Sequence, residues 1–487
     1  MDVHTSPVPH VAENHAASVE ADIARIIMLQ QANRQRIGQT TAAERVAKLK
    51  RLRAALFEHR QAIRDALHAD FRKPPEEVDL TEILPVSLEI GYTIKHLKRW
   101  MKPKRVGTPL ILFGTRSEIR YEPKGVGLII SPWNYPVELT LTPLVGAIAA
   151  GCCAIIKPSE YTPHTSRLLS KILSSLFEED EVAVFEGDYT VSQALLRHPF
   201  DHIFFTGSPA VGQIVMRAAA EHLSSVTLEL GGKSPTIVDE TADIDDAAQK
   251  IAFGKFANNG QTCIAPDYVY VHERVHDGFV NALRKHIQGF YGDDAAARSA
   301  TPDYARIVSD KHHRRVRHLY QEALDRGAQA VTGGTSEDAE RFIDPTVLTE
   351  VPPDTRLMQE EIFGPVLPIL RFKTLDEAIE TINSKPKPLA LYVFSSSNAA
   401  IEHVLRNTSA GGTCINDTLL HFLHPDLPFG GVNTSGIGQG HGYYGFLAFS
   451  NERPVLRQKL KNGPFKKFYP PYTRTTQKLI DLLLKYF

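Results

Sequence analysis

A cysteine on a loop between a helix and a strand can present its sulfur to a cleft. Cys263 stands in such a place. It closes Gln261-Thr262-Cys263, after the helical pattern Ala247 to Phe256 and the loop-forming Asn258-Asn259-Gly260, and ahead of a strand pattern at Tyr268. Thiolate sulfur attacks carbonyl carbon to give a covalent tetrahedral adduct. Position alone leaves the alternative of a small buried hydrophobe. Cys152 and Cys153 lie in an apolar run and Cys414 in a strand pattern, so these three read as core. Glu229 ends the apolar Val226-Thr-Leu-Glu-Leu230, directly before Gly231-Gly232. A carboxyl buried there has its pKa raised, which suits a general base; an edge-strand Glu reaching solvent is the alternative.

Three further segments each follow a strand pattern. Asn134, in Ser131-Pro-Trp-Asn-Tyr-Pro136, can offer an amide N–H to an oxyanion, although Asn and Pro also simply favour turns. Lys157-Pro-Ser-Glu160 is placed for ribose hydroxyls, or as a solvated pair at a helix start. Phe204-Phe-Thr-Gly-Ser-Pro-Ala-Val-Gly212 reads strand, turn, helix, with Gly207 for the turn and Ser208 or Thr206 as cap. Such a helix start suits an anion, but this is not G-x-G-x-x-G and any strand-to-helix junction needs a similar turn. Glu360-Glu-Ile-Phe-Gly-Pro365 has no specific meaning by itself.

The elements that must hold these residues follow a regular rhythm. Short apolar runs at Val126–Ser131, Ala154–Lys157, Val182–Glu186, His202–Thr206 and Val226–Leu230 alternate with helical patterns such as Thr165–Phe177 and Gly212–His222. That alternation predicts a parallel sheet covered on both faces. A second α/β stretch runs from Pro235 to about Asp417, with strands expected at Thr236–Val238, Tyr268–His272, Val366–Phe372, Ala390–Ser395 and Thr413–Asn416. Ahead of both lie an amphipathic helix over Ala21–Ile37, a helical pattern over Arg45–Phe71 and another from Glu77 to about Trp100. Ser117–Glu122 alternates at period two and predicts a strand outside the main body; Gly430–Gly445 is Gly-rich and irregular.

With 487 residues the chain has room for about three structural units. A net charge of -1 argues against nucleic acid as the main partner. Four cysteines are too few for a disulfide framework, which points to a reducing, cytoplasmic compartment. The polar opening, Met1 to Glu20, has no apolar stretch of the kind an export signal carries. The longest apolar run, Pro143 to Ile156, falls short of the roughly 20 residues that span a bilayer. From Arg453 onward nine Lys or Arg face one acid, Asp481, and the chain closes on Lys478-Leu-Ile-Asp-Leu-Leu-Leu-Lys-Tyr-Phe487. That end predicts an amphipathic helix lying on an anionic membrane surface or over a tunnel mouth, against the plainer reading of packing on its own body or a partner subunit.

Taken together, Pro132-Trp-Asn-Tyr-Pro136, Ile156-Lys-Pro-Ser-Glu160, Phe205-Thr-Gly-Ser208, Leu228-Glu-Leu-Gly-Gly-Lys-Ser-Pro235, Gly260-Gln-Thr-Cys263 and Glu361-Ile-Phe-Gly-Pro365 resemble the aldehyde dehydrogenase superfamily. The match runs in order from Arg45 to Arg457. The longer form Gly260-Gln-Thr-Cys-Ile-Ala-Pro-Asp267 looks like the class 3, fatty-aldehyde and coniferyl-aldehyde branch. The resemblance implies an α/β fold of two doubly wound parallel-sheet domains with a small β oligomerisation arm. Its implied boundaries are 20–105 and 125–230 for the Rossmann-like NAD-binding domain, 231–430 for the catalytic domain, 106–124 and 446–458 for the arm, and 459–487 for the basic tail. By the same resemblance Cys263 matches the nucleophile, Glu229 the base for the deacylating water, and Asn134 an oxyanion donor beside the Cys263 N–H. Lys157 and Glu160 match adenosine-ribose contacts, Gly207, Ser208 and Gly212 the pyrophosphate turn, and Glu361 and Phe363 contacts to the nicotinamide ribose and ring. NAD is expected as the preferred cofactor with NADP tolerated, a homodimer as the assembly, and no metal. Tyr135, Phe253 and Phe422 are expected as apolar substrate walls, which leans toward medium or long aliphatic or aromatic aldehydes, as in lipid metabolism; each serves equally as core.

Two departures stand out. The usual Gly-Asn before the second cofactor strand is Gly151-Cys152, and the reactive cysteine is followed by Ile264. The scattered histidines, such as His312 and His313, make no ligand constellation and read as solvated. Three rivals differ in testable ways: a cysteine hydrolase without nucleotide, a CoA-acylating dehydrogenase, and a non-enzymatic structural relative. Glu229 favours water as acyl acceptor, and a silent relative would be expected to lack Cys263 or Glu229.

Overall fold

Apolar runs bounded by glycine, proline and polar turns form the buried strands of this protein, and amphipathic segments form the helices that cover them. The structure, a computed structural model, describes residues 9–461 and 463–486, without the side chains of 9–17 and 464. Residues 1–8 of the polar opening and the terminal Phe487 lie outside the described residues.

Strands β1 (Lys104–Val106) and β2 (Thr115–Pro123) precede five buried ones: β3 (Val126–Ile130), β4 (Cys153–Lys157), β5 (Val182–Val184), β6 (His202–Gly207) and β7 (Ser225–Leu230). A second series follows with β8 (Pro235–Val238), β9 (Tyr268–His272), β10 (Gln329–Thr332), β11 (Ser336–Glu337), β12 (Phe342–Ile343), β13 (Thr346–Thr349), β14 (Val366–Phe372), β15 (Ala390–Phe394) and β16 (Gly412–Ile415). The last two are β17 (Gly436–Ile437) and β18 (Ser450–Gln458). One sheet is ordered β17-β7-β6-β3-β4-β5 and the other β10-β13-β14-β9-β8-β15-β16.

Both sheets are parallel except at one edge. β17 pairs antiparallel with β7, and β10 antiparallel with β13. The purely parallel expectation is amended to that extent. β10 and β13 were not expected from the sequence; β13 is a buried four-residue run set among loops. β17 brings the Gly-rich segment back from beyond residue 430, with Gly436 opposite Glu229. The third sheet, β1-β2-β18, pairs β2 with β18 from Ser450↔Pro123 to Gln458↔Thr115.

Three expected elements are corrected. The helical pattern Arg45–Phe71 breaks at His59 into Ala42–Glu58 and Arg60–Phe71, where His59 leaves helical geometry with ψ 12. The pattern from Glu77 contains a wider turn at Asp79–Ile83 before the helix Leu84–Trp100, because Pro85 has no N–H for an ordinary helical bond. Of the second arm segment expected at 446–458, only Ser450–Gln458 is strand. Residues Gly442–Ala448 form a short helix packed on the helix Glu138–Ala150. A Cβ at Gly146 would lie 2.8 Å from the Gly445 carbonyl oxygen, so glycine is what lets these two helices touch.

The departure at Gly151-Cys152 is accommodated locally. Gly151 ends its helix at φ 85 and its N–H bonds the Ala147 carbonyl at 2.9 Å. Cys152 and Cys153 are buried as core, whereas Cys414 is only half-buried.

Candidate active site

Cys263 is held by a turn that carries its own hydrogen-bonding groups. After the helix Ile244–Phe256, Asn258, Asn259 and Gly260 take φ of 52°, 56° and 70° in succession. Asparagine tolerates this left-handed region better than most residues, and glycine does so freely. A Cβ on Gly260 would collide with the Gly364 carbonyl, so the turn also fits tightly against the Glu361–Pro365 loop.

Side-chain amides replace the backbone bonds such a turn forgoes. Asn258 Nδ2 donates to the Asn134 carbonyl at 2.8 Å and to the Gln261 carbonyl at 3.2 Å. The Asn258 N–H donates to Glu77 Oε1 at 2.6 Å. Asn259 reaches the Ala305 carbonyl at 2.9 Å, while Gln261 Nε2 reaches the Arg306 carbonyl at 3.0 Å and Gln261 Oε1 accepts the Val308 N–H at 2.9 Å. Asn258, Asn259 and Gln261 are fully buried. Sequence reasoning took the first two only as a loop signal; a pair of asparagines before a glycine was the cue to a left-handed turn.

Two cavities meet at Cys263. One, of about 260 Å³, is lined by Asn134, Gly207, Ser208, Glu229, Glu361 and Phe363, among others. The second, of about 220 Å³, is almost wholly apolar and takes Tyr135, Leu139, Phe253, Phe422 and Phe429 into its walls. All three expected substrate residues, Tyr135, Phe253 and Phe422, line this second cavity. Tyr135 is pinned there: its hydroxyl lies 2.6 Å from Thr262 Oγ1, and Lys73 Nζ sits 4.1 Å from its ring centre.

Burial governs the electrostatics. Glu229 is buried at the end of β7, its Oε1 lacks a hydrogen-bond partner, and desolvation pushes its carboxyl up to about 8. A Cβ on Gly440 would come 2.7 Å from that oxygen, so the returning Gly-rich segment closes over the carboxyl without filling its space. Burial, followed by the carboxyls of Glu361, Glu229 and Glu138, raises the Cys263 thiol far above its ordinary range. Burial there favours the thiol over the thiolate.

Glu361 has a similar setting. Burial raises it to about 7 and its Oε1 is unpartnered. A side chain at Gly231 would occupy the carboxyl's position. The loop behind it is fixed on three sides. Arg315 donates to the Glu361 carbonyl at 3.1 Å, and Asp267 accepts the Ile362 N–H at 2.9 Å. Lys233 pairs with Asp267 and donates to the Glu360 carbonyl at 2.8 Å. Trp133 meets Phe363 and His312 edge-on at 5.3 and 4.9 Å. His312 and Arg315 thus line the cavity unannounced by the sequence. The reading of His312 and His313 as solvated is corrected: burial lowers His312 to about 4, and His313 is buried with Nε2 3.0 Å from the Phe342 carbonyl.

Of the remaining expected residues, Lys157, Glu160 and Gly212 stand apart from this cavity wall, whereas Ser208 lines it. Lys157 ends β4, buried, with Nζ 2.9 Å from Glu160 Oε2. Ser208 caps the helix Pro209–His222, and Gly212 lies under Leu230, which a Cβ would approach to 2.7 Å. Gly212 therefore serves close helix–sheet packing.

The aldehyde dehydrogenase family model matches residues 5–455, a span that includes every residue of this site. The chain belongs to the aldehyde dehydrogenase family. It is 47% identical to the 4,4'-diaponeurosporen-aldehyde dehydrogenase of Staphylococcus aureus, over 88% of this chain and 92% of that one. It is 44% identical to aldehyde dehydrogenase family 3 member B2 of Mus musculus, over 91% of each. Among solved structures, the substrate-bound state of Staphylococcus aureus AldH superposes with a TM-score of 0.90 at 45% identity, covering 95% of this chain and 99% of that one. The NAD+ complex of a Bacillus cereus aldehyde dehydrogenase gives 0.82 at 29% identity, covering 90% and 89%. The protein is an aldehyde dehydrogenase, an oxidoreductase acting on a small-molecule aldehyde with a nicotinamide cofactor. Among the described residues no helix is long and apolar enough to cross a membrane.

Proposed function

We propose that this aldehyde dehydrogenase oxidises medium- or long-chain aliphatic or aromatic aldehydes to carboxylic acids through a thioester on Cys263. The observation that carries this reading is the meeting of a polar and an apolar cavity at one sulfur. The apolar cavity takes the aldehyde chain, and its exposed rim of Leu80, Leu84, Leu420 and Leu423 extends the path for a longer one. The polar cavity fits the nicotinamide end of the cofactor: the unpartnered Glu361 Oε1 is a ready acceptor for ribose hydroxyls, and Phe363 with Trp133 offers aromatic edges.

The chemistry follows from the groups present. Cys263 gives its proton to solvent water as its sulfur bonds the aldehyde carbon, and the resulting oxyanion takes hydrogen bonds from the Asn134 side chain and the Cys263 N–H. A nicotinamide held by Glu361 and Phe363 would supply the hydride acceptor, and loss of hydride from this carbon would leave the acyl group on Cys263 as a thioester. Ionised Glu229 then draws a proton from water, the water oxygen bonds the acyl carbon, and the carbon–sulfur bond breaks to release the acid. The sheet of β3 to β7 serves the cofactor and the sheet of β8 to β16 carries the nucleophile. Lys157 and Glu160 would hold the adenosine ribose, with NAD preferred and NADP tolerated, and Gly207 and Ser208 would form the pyrophosphate turn, with Gly212 seating the helix behind them on the sheet. Absorbance of reduced nicotinamide across an aldehyde panel graded by chain length, with and without CoA and beside an ester-cleavage assay, tests this against the rival classes. Ester cleavage without dehydrogenation would overturn it, as would strict dependence on CoA.

The assembly we infer is a homodimer built through β1, β2 and β18, of which β1 and β18 are largely exposed and β2 is half-buried. Light scattering that returned a monomer mass at micromolar concentration would refute it. The tail forms a helix, Arg474–Tyr486, with Leu482 and Leu484 55% and 79% exposed beside Lys478 and Lys485. That exposure supports a peripheral membrane or tunnel-mouth role over packing on the same subunit. Truncation after Tyr469 would then alter liposome co-sedimentation or the long-to-short aldehyde ratio.

A further inference from the structure

The apolar cavity contains one polar group with nothing to bind. Its other polar side chains are spent. Thr81 Oγ1 donates to the Glu77 carbonyl at 2.7 Å, and the Tyr135 and Thr262 hydroxyls pair at 2.6 Å. Cys263 is the nucleophile proposed above. Glu138 also lines this wall, with only 2% of its surface exposed, and its Oε1 has no hydrogen-bond partner.

Three neighbouring acids are occupied by structural bonds. Glu82 pairs with Lys73 at 2.9 Å and accepts the Val137 and Glu138 N–H groups at 3.1 and 3.0 Å. Glu77 accepts the Asn258 N–H, and Glu89 accepts the Gly442 N–H at 2.8 and 3.0 Å. Glu82 thus fixes the Glu138 backbone at its helix start, and apart from the nearby Thr142 hydroxyl one turn along the same helix the Glu138 carboxyl has no committed partner. Burying an unpaired polar group costs roughly 1–3 kcal/mol, so a packing role would be better filled by leucine. Burial, with lesser influences from Thr142, Glu82 and Glu229, holds this carboxyl far above the ordinary range. In its protonated form such a carboxyl can both donate and accept a hydrogen bond.

We propose that Glu138 is a specificity-determining residue that hydrogen-bonds an oxygen substituent on the aldehyde's carbon skeleton, so that oxygen-bearing aldehydes are favoured over hydrocarbon ones of the same size. This rests on the reading of the apolar cavity as the aldehyde site. A site with a buried polar group discriminates against a ligand that leaves it unpaired.

The test uses the full-length enzyme with two size-matched series: 2-, 3- and 4-(hydroxymethyl)benzaldehyde against the corresponding ethylbenzaldehydes. The catalytic efficiency for each hydroxymethyl compound is divided by that for its ethyl partner, in the parent enzyme, Glu138→Gln and Glu138→Leu. Ring electronics cancel when these ratios are compared between enzymes. One hydrogen bond to a neutral partner is worth a factor of about three to ten. At least one ring position should therefore show a parent ratio that falls about three- to tenfold in Glu138→Leu and is largely kept in Glu138→Gln, which retains a donor and an acceptor. Glu138→Leu removes an unpaired buried acid, so its melting temperature should not fall. Equal losses for both series, or ratios unchanged in Glu138→Leu at every position, would overturn the proposal. The reading of the cavity is tested separately: the parent's efficiency on ethylbenzaldehydes should exceed that on acetaldehyde, whatever happens at Glu138.

Discussion

Replacing Glu229 by glutamine separates two consequences of one buried carboxyl. Its ordinary pKa is near 4.5, and burial lifts it to about 8. Between those values the unfolded chain has released a proton that the folded protein keeps, so stability falls as pH rises through that window and levels off above 8. The full span corresponds to about 5 kcal/mol, and the part between pH 6 and pH 8 to about 3 kcal/mol, at roughly 1.4 kcal/mol per unit. Glutamine has nearly the shape of the protonated acid and does not titrate. The stability of Glu229→Gln relative to the parent should therefore grow by up to about 3 kcal/mol from pH 6 to pH 8.5, read as a widening gap between denaturant midpoints. Catalysis should move the other way. Loss of a positioned base costs typically 10²–10⁴-fold, here in thioester hydrolysis, so steady-state turnover collapses while a rapid burst of reduced nicotinamide persists. Parent deacylation should rise with pH about a midpoint near 8. A stability gap that is flat from pH 5 to 9 would show that Glu229 is ionised in the folded protein. Full steady-state turnover by the variant would show that another group activates the water.

Three further outcomes follow from the same geometry. Cys263→Ala should abolish both dehydrogenase and ester-cleaving activity, measured by nicotinamide absorbance and nitrophenyl ester release, since no nucleophile remains at the junction of the cavities. Glu160, about one-third exposed beside the buried Lys157, should accept ribose hydroxyls and repel a 2′-phosphate, giving higher kcat/KM with NAD than with NADP; equal or better efficiency with NADP would show that Glu160 turns away from the ribose. Asn258→Ala should lower kcat more than it raises KM and cost about 1–3 kcal/mol in denaturation, because it frees the Asn134 and Gln261 carbonyls together.

The sequence showed the rhythm of both sheets because their strands are short apolar runs, buried on both faces, that only a parallel sheet absorbs. It also showed a strand outside the main body, since Ser117–Glu122 alternates, and β18 pairs with that strand residue for residue. What it hid depended on contacts distant in sequence. β17 is two residues long and exists because Gly436 can lie beside Glu229. His312 is a cavity residue because Trp133 and Tyr161 enclose it at 4.9 and 5.1 Å, and nothing in its own helix records that. Asn258 and Asn259 read as polar loop residues, yet they are buried, because their amides supply the bonds that a left-handed turn denies the backbone. Phe253 and Phe422 could be named but not assigned, since an aromatic side chain packs equally well in a core or along a cavity.

The acids of this site are arranged by how much of each carboxyl is already used. Glu82 is satisfied by an ammonium and two backbone N–H groups, and it anchors the helix that starts at Glu138. Glu77 and Glu89 each hold a backbone N–H, one under the nucleophile turn and one under the returning Gly-rich segment. These three act on structure. Glu229, Glu361 and Glu138 each keep Oε1 unpartnered, and each lines a cavity that reaches Cys263. Leaving three such oxygens unpaired in one small region is costly, and packing gains nothing from it. The cost is offset if each oxygen acquires a partner only when the site fills: a water proton at Glu229, ribose hydroxyls at Glu361, and an oxygen of the substrate at Glu138. On that account the empty enzyme is least stable where it is chemically most prepared, and bound cofactor and aldehyde should stabilise it by more than their apolar contacts alone supply.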